Sequence, residues 1–231
     1  MHNFNQHKSE LDKKGFSIVK SIFNEVELTT LLKLIEDNNF DFSERQLLNR
    51  FPEIQEVIFK NKIFKDLYNT LCNNSYFLSK AIYFNKPSKS NWFVSYHQDL
   101  SVSVKEKNET KGFGNWTRKK GQLGVIPPLY ILEPTITFRI HLDETNLENG
   151  GLKVISESHN KGIIRIDENF QTCNFGNEVI CDVEIGGVML MKPLILHASQ
   201  KSISEKDRRV IHLEFCNQEL PMGWLEKRRI S

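Results

Sequence analysis

The sequence predicts a mainly β fold with helices at its front, the strands closing into a jelly roll or small barrel. Three observations carry this. Helical periodicity runs from Asn24 to about Cys72. From Tyr76 onward β-branched and aromatic residues take over and turn signals recur. A chain of 231 residues with 39% hydrophobic and 26% charged residues is large and apolar enough to bury one sizeable core. The reading is a single domain over 1–231, with a helical front at about 1–75, a β core at about 76–220 and a lid-like loop at 105–128.

In the front, residues 15–20 read as a short strand. Asn24 is an N-cap, and Glu27 three residues on completes a capping box. Leu28, Leu31, Leu32 and Ile35 then repeat at helical spacing and give one apolar face. A second helix starts at Pro52, a favoured first-turn residue, and turns Ile54, Val57 and Ile58 inward. A third, over 62–72, buries Ile63, Phe64, Leu67 and Leu71. Apolar residues at this spacing are core, and the helices are expected to cover one face of a sheet. His2 and His7 read as disordered terminal residues.

Candidate strands follow at 76–85, 91–97, 135–142, 152–156, 162–166, 179–183, 188–192 and 210–216. Asn149-Gly150-Gly151 and Ile185-Gly186-Gly187 mark tight turns. Between them, 105–128 has little periodicity, five scattered glycines and prolines before its closing Pro128, and six basic residues against two acidic ones. Loops beyond about 15 residues are commonly functional. This one leaves from beside Asp99 and is either an ordinary solvated loop or a basic lid suited to an anionic substrate, with Trp116 and Phe113 supplying apolar contact.

The chemistry centres on His97-Gln98-Asp99 at the end of a strand. Residues i and i+2 of an extended chain project to one side, so His97 and Asp99 can share an ion. A third ligand must come from elsewhere, and the candidate is His197, which ends the apolar stretch Val188 to Leu196. Two histidines and one carboxylate leave three coordination positions open, the arrangement of non-haem Fe(II) oxygenases. Arg208 lies eleven residues after His197, a hairpin's length, and a guanidinium there would need an anionic partner such as a dicarboxylate. Of the adjacent pair Arg208-Arg209, one points in and one out; Arg209 is the surface candidate. In Thr137, Arg139 and His141, polar residues alternate with apolar ones, which turns Arg139 to solvent or to a cavity. His159 and His212 read as structural or supporting groups.

Taken in order, H-Q-D, T-F-R-I-H-L-D-E, E-N-G-G-L-K-V-I-S-E-S-H, H-A-S and R-R-V-I-H-L-E-F resemble the phytanoyl-CoA dioxygenase family over nearly the whole chain. The resemblance implies a double-stranded β-helix (a cupin-like jelly roll) and an Fe(II)- and 2-oxoglutarate-dependent dioxygenase. It implies metal ligands His97, Asp99 and His197, cosubstrate contacts Arg208 and Ser199, and a cavity-facing Arg139 that binds substrate or cosubstrate carboxylate. Oxidative decarboxylation of 2-oxoglutarate with O2 would release succinate and CO2 and hydroxylate a small molecule. Related halogenases carry a small residue at the carboxylate position, so Asp99 argues for hydroxylation. S-E-S-H stands where many members have P-G-S-H, a difference in a turn. A zinc-dependent hydrolase using the same triad and a non-catalytic cupin-like binding module are the competing readings.

Partner classes are narrowed by composition. A net charge of +2 and a pI of about 8.3 are too mild for a nucleic-acid binder. No apolar run approaches the about 20 residues of a membrane span, and residues 1–10 lack the apolar segment of a signal peptide. Cys72, Cys173, Cys181 and Cys216 form no CxxC pair and read as reduced thiols of a cytoplasmic protein. Oligomeric state leaves no sequence signal.

Overall fold

The computed structural model describes residues 3–87 and 93–230. His2, and Asn91 and Trp92 of the expected 91–97 strand, lie outside them. The chain begins with α1 (Asn5–Lys14), where a disordered terminus was expected. Gly15 ends it in the left-handed region at φ 85°, and Leu11 and Phe4 anchor it to the core. His7 is thereby ordered, its Nδ1 2.8 Å from Ser17 Oγ. Strand β1 (Phe16–Val19) follows, then α2 (Glu25–Asp37) with the expected Asn24–Glu27 capping box. A short β2 (Ser43–Arg45) leads to α3 (Leu47–Arg50), α4 (Pro52–Lys60) and α5 (Lys62–Leu71). Asn61 caps α5, accepting from Phe64 N at 2.8 Å and donating to Ile22 O at 2.9 Å.

The remaining strands are β3 (Phe77–Lys86), β4 (Val94–His97), β5 (Val102–Val104), β6 (Gly114–Lys119), β7 (Gln122–Ile126), β8 (Ile136–His141), β9 (Leu152–Ile155), β10 (Glu178–Ile180), β11 (Val188–Met191), β12 (His197–Ser199) and β13 (Arg208–Cys216). They pair antiparallel into a six-stranded sheet, β1-β11-β8-β13-β3-β2, a four-stranded sheet, β10-β9-β12-β4, and a small β5-β7-β6 sheet.

The large sheet has two unlike faces because side chains alternate along each strand. Leu78, Ala81 and Tyr83 of β3, Phe138 and Ile140 of β8, and Ile211, Leu213 and Phe215 of β13 join the helices in the main hydrophobic cluster. The helices therefore cover one face, as their periodicity predicts. Lys80, Ile82, Phe84, Lys86, Arg139, Arg208, His212 and Glu214 take the other face and line a cavity of about 450 Å3.

Two expectations are corrected. Residues 162–166 are not a strand: they follow a 3-10 turn (Ser158–Lys161), and Ile164 N donates to the Gln98 side chain instead of a ladder. The stretch 105–128 is not one long loop, since it holds β6 and β7. Lys120 (φ 47°) and Gly121 (φ 79°) form the two-residue turn between them, both in the left-handed region that such hairpins demand. Gly124 sits mid-strand because its neighbours press close: a Cβ there would lie 2.6 Å from Ser101 Oγ and 2.9 Å from Thr117 Oγ1. Glycine and lysine in these strands mask the period-2 pattern.

Candidate metal centre

His97 ends β4 and His197 opens β12, and the two are direct partners across that antiparallel ladder. Their ring centroids stand 4.2 Å apart. Asp99 completes the cluster, with Oδ1 3.9 Å from His97 Nε2 and Oδ2 3.7 Å from His197 Nε2. One ligand atom from each residue lies within 4.8 Å of the others. Both histidines are oriented alike: Nδ1–H donates to the carbonyl two residues back, Ser95 O at 2.9 Å and Ile195 O at 3.0 Å. That fixes the tautomer and leaves both Nε2 lone pairs aimed at Asp99, the usual preparation of imidazole for a metal. Burial pushes His197 down to about 4, against the attraction of Asp99, so it is neutral and able to ligate at neutral pH. Burial acts to raise Asp99, but its attraction to the basic groups around it, His197 first and then His212 and Lys80, holds it well below the carboxylate range. The donor set and its geometry fit a divalent metal.

Gln98, between the two ligands, clamps the strand end. Its Nε2 donates to Gly162 O at 2.9 Å and Leu194 O at 2.6 Å, and its Oε1 accepts from Ile164 N at 2.8 Å. Asp99 N donates to Pro193 O at 2.9 Å. The H-x-D end is thus fastened to the turn that delivers His197. Nothing local in the sequence marks this glutamine for that role.

Beneath the cluster runs a buried polar row. Arg139 Nη1 donates to His212 Nδ1 at 3.1 Å. A guanidinium only donates, so His212 carries its proton on Nε2 and donates it to Glu214 Oε1 at 2.9 Å. Lys80 pairs with the same oxygen at 2.7 Å and reaches Ser101 O at 2.8 Å. Burial would raise Glu214, but Lys80 and His212 outweigh it and hold it low. His212 is thus buried and hydrogen-bonded through both ring nitrogens; Glu214 and Lys80 carry no local signal in the sequence.

Arg208 enters the cavity while Arg209 turns away to a two-pronged pair with Asp143, Nε–Oδ2 2.9 Å and Nη2–Oδ1 2.8 Å. Arg208 is 7% exposed, yet its Nε and Nη1 have no hydrogen-bond partner among the described residues. Burial, then the charge of Arg139, lowers it to about 9. Each unpaired buried donor costs about 1–3 kcal/mol, a cost that an anion in the cavity would offset. Ser199 lines the same cavity, donating to Gly150 O at 2.7 Å and accepting from Lys86 Nζ at 3.1 Å. Arg139 faces the cavity, its Nε also unpaired. Trp116 does not line it: on β6 Thr117 and Lys119 do, and Trp116, like Phe113, packs beside the Val102–Val125–Trp224 cluster. The strand alternation that a loop would lack sends Trp116 to the opposite face.

An antiparallel jelly roll that brings His-x-Asp, a distant His and an unpaired buried arginine to one cavity defines the scaffold of a non-haem iron oxygenase. A family model, phytanoyl-CoA dioxygenase (PhyH), matches residues 11–210. The chain belongs to that family, and is a 2-oxoglutarate-dependent dioxygenase that uses iron and O2. No curated protein matches it in sequence. Among solved structures it is similar to EctD from S. alaskensis with 2-oxoglutarate and 5-hydroxyectoine (TM-score 0.71, 16% identity, 100% of this chain and 85% of that one). It is similar to the non-heme alpha ketoglutarate dependent carbocyclase SnoK from nogalamycin biosynthesis (0.68, 12%, 98% and 96%). HygX from Streptomyces hygroscopicus with nickel and 2-oxoglutarate bound is a third (0.63, 14%, 93% and 87%). At these identities the likeness is one of fold.

Proposed function

We propose that His97, Asp99 and His197 hold the iron, that Arg208 and Ser199 bind the far carboxylate of 2-oxoglutarate, and that the reaction hydroxylates a small polar molecule. The observation that carries this is the buried, partnerless Arg208 on the same cavity as the His-Asp-His cluster. A zinc hydrolase would have no use for it.

With 2-oxoglutarate and O2, bound iron supplies oxidative decarboxylation to succinate and CO2 and hydroxylation of a C–H bond. The chain's own residues do the rest. His97 and His197, each through Nε2, and the Asp99 carboxylate would hold the metal. Arg208 fixes one end of the cosubstrate, and Arg139, whose Nε is unpaired, receives a carboxylate at the other end or on the substrate. The Lys80–Glu214–His212 row keeps Arg139 aimed, through His212 Nδ1. Thr117 and Lys119 of β6 and Gln122 and Leu123 of β7 line the same cavity and would contact a substrate held there. Arg45 and Lys119 on the lining favour a substrate bearing an acidic group. Three of the four unpaired cysteines are buried, which suits a reducing, cytoplasmic setting; no helix among the described residues is long and apolar enough to cross a membrane.

Thermal melting tests this directly. 2-Oxoglutarate should raise Tm only with Fe(II) or an inert substitute such as Ni(II) present, and His97→Ala should abolish both that shift and succinate release. A metal-independent shift, or none, overturns the reading.

A further inference from the structure

Two cations on the cavity lining have no part in holding metal or cosubstrate. Arg45, on the edge strand β2, lies opposite Ile82 of β3, and Ile82 lies opposite His212 of β13, so the three form one row across the sheet on the cavity face. Neighbouring strands stand about 4.8 Å apart, which puts Arg45 roughly 10 Å along the floor from His212. Between them the floor is apolar: Ile82 is buried, and the Phe84 ring meets His212 edge-on at 5.8 Å. Arg45 is half-buried, and its guanidinium has no hydrogen bond or ion pair among the described residues. Glu214, whose charge attracts it, is already held by Lys80 at 2.7 Å and His212 at 2.9 Å. Lys119 joins the lining from β6, also without an ion pair among the described residues. The tip of its hairpin is fastened to β2: Lys120 Nζ donates to Ser43 O at 3.0 Å and pairs with Asp41 Oδ2 at 3.5 Å. In all, six cationic side chains and two carboxylates line the cavity. The charges of a divalent metal and of the 2-oxoglutarate dianion cancel, so that excess persists with both bound.

We propose that Arg45 selects the primary substrate, and that this substrate is a small carboxylic acid with an apolar body. Its carboxylate takes the guanidinium fork of Arg45, with Lys119 as the second cation. Its hydrocarbon part lies over Ile82 and Phe84. This rests on the oxygenase reading above and extends it to the second reactant. The floor sets the order of the parts: charge at β2, carbon over β3, and the oxidised C–H on the β13 side. Hydroxylation turns that C–H into C–OH. One oxygen atom of O2 goes there and the other into succinate, and the carboxylate on Arg45 is unchanged. A neutral or cationic molecule of the same shape would leave the guanidinium desolvated and unpaired, and is rejected for that reason.

The test is calorimetric binding to protein loaded with Ni(II) and 2-oxoglutarate. The probes are hexanoate, octanoate and phenylpropanoate, each beside its primary amide and its amine. At least one acid should bind roughly 10- to 100-fold more tightly than its amide, the worth of one charge-assisted contact. Arg45→Gln should erase that difference, Arg45→Glu should turn the preference toward the amine, and Lys119→Gln should narrow it. A panel in which no acid is preferred to its amide, or a preference that survives Arg45→Gln, overturns the inference. Should the Arg45 variants fail to fold, Lys119→Gln, at an exposed position, decides: an undiminished preference overturns it. Binding of 2-oxoglutarate to the Ni(II)-loaded protein separates this from the reading beneath it. If the cosubstrate binds and no acid is preferred, only the role of Arg45 falls. If the cosubstrate does not bind, the oxygenase assignment of the site falls with it.

Discussion

His97 and His197, one hundred residues apart in sequence, are Cα partners in one β ladder, with ring centroids 4.2 Å apart. The metal site is therefore set by sheet register. A one-residue slip would send one imidazole to the opposite face. The two histidines differ in burial, with side chains 41% and 5% exposed. His97→Ala should accordingly change metal-free Tm little, and His197→Ala should cost about 1–3 kcal/mol by stranding Ile195 O and leaving a cavity. Both should lose Ni(II) binding in a calorimeter. Retained Ni(II) affinity in either variant would count against the triad.

Arg208→Met should separate stability from function. The guanidinium is buried beside another cation, Arg139, and forms no ion pair among the described residues. Replacing an uncompensated buried charge with an apolar side chain of similar length is commonly neutral or stabilising by 1–4 kcal/mol. The ligand-free variant should melt at or above wild type while the metal-dependent stabilisation by 2-oxoglutarate disappears. A large drop in ligand-free Tm would mean that Arg208 is a structural group.

The parts of this centre differ in how far they can be read from sequence. The H-x-D spacing is local, and extended geometry alone joins His97 to Asp99. The helix ends were legible for the same reason, since Asn24 and Glu27 meet within one turn. His197 and Arg208 are joined to the site only by strand pairing over long separations; the apolar stretch before His197 and the hairpin-length spacing to Arg208 single them out, and the family resemblance gives them their roles. Lys86 and Glu214 were illegible: among 31 basic and 29 acidic residues, nothing local says which are buried on the cavity face. The bulge at Glu214/Phe215 that adjusts β13 against β3 is also invisible in sequence. The β6–β7 hairpin was hidden by its glycines and lysines, and with it the true orientation of Trp116.

Glu226 should set the acid side of the stability profile. It is buried, accepting from Ala81 N at 3.0 Å through Oε2 while Oε1 has no partner. Burial pushes its carboxyl from 4.5 up to about 7. Between those values the folded protein holds a proton that the unfolded chain releases, so this group's contribution favours folding at the acid end and fades as pH rises through 7. Glu226→Gln keeps the acceptor and cannot ionise. Urea midpoints at pH 5 and 8 should converge in the variant relative to wild type, with the gain appearing at pH 8.

Gln98→Leu should damage metal binding without touching a ligand. The substitution keeps the volume and strands Ile164 N, Gly162 O and Leu194 O, all met by one side chain. At about 1–3 kcal/mol for each unsatisfied group, and allowing for relaxation, the loss should be on the order of 3–5 kcal/mol, or about 10 °C in Tm for a domain of this size. The strand end would then separate from the Pro193–Leu194 turn, and His97 and Asp99 would lose their bearing on His197. Ni(II) affinity should fall about 10- to 100-fold, the usual effect of removing a group that orients metal ligands. Lower Tm with unchanged Ni(II) affinity would show that the clamp serves the fold alone and that the triad is held by the β4–β12 ladder itself.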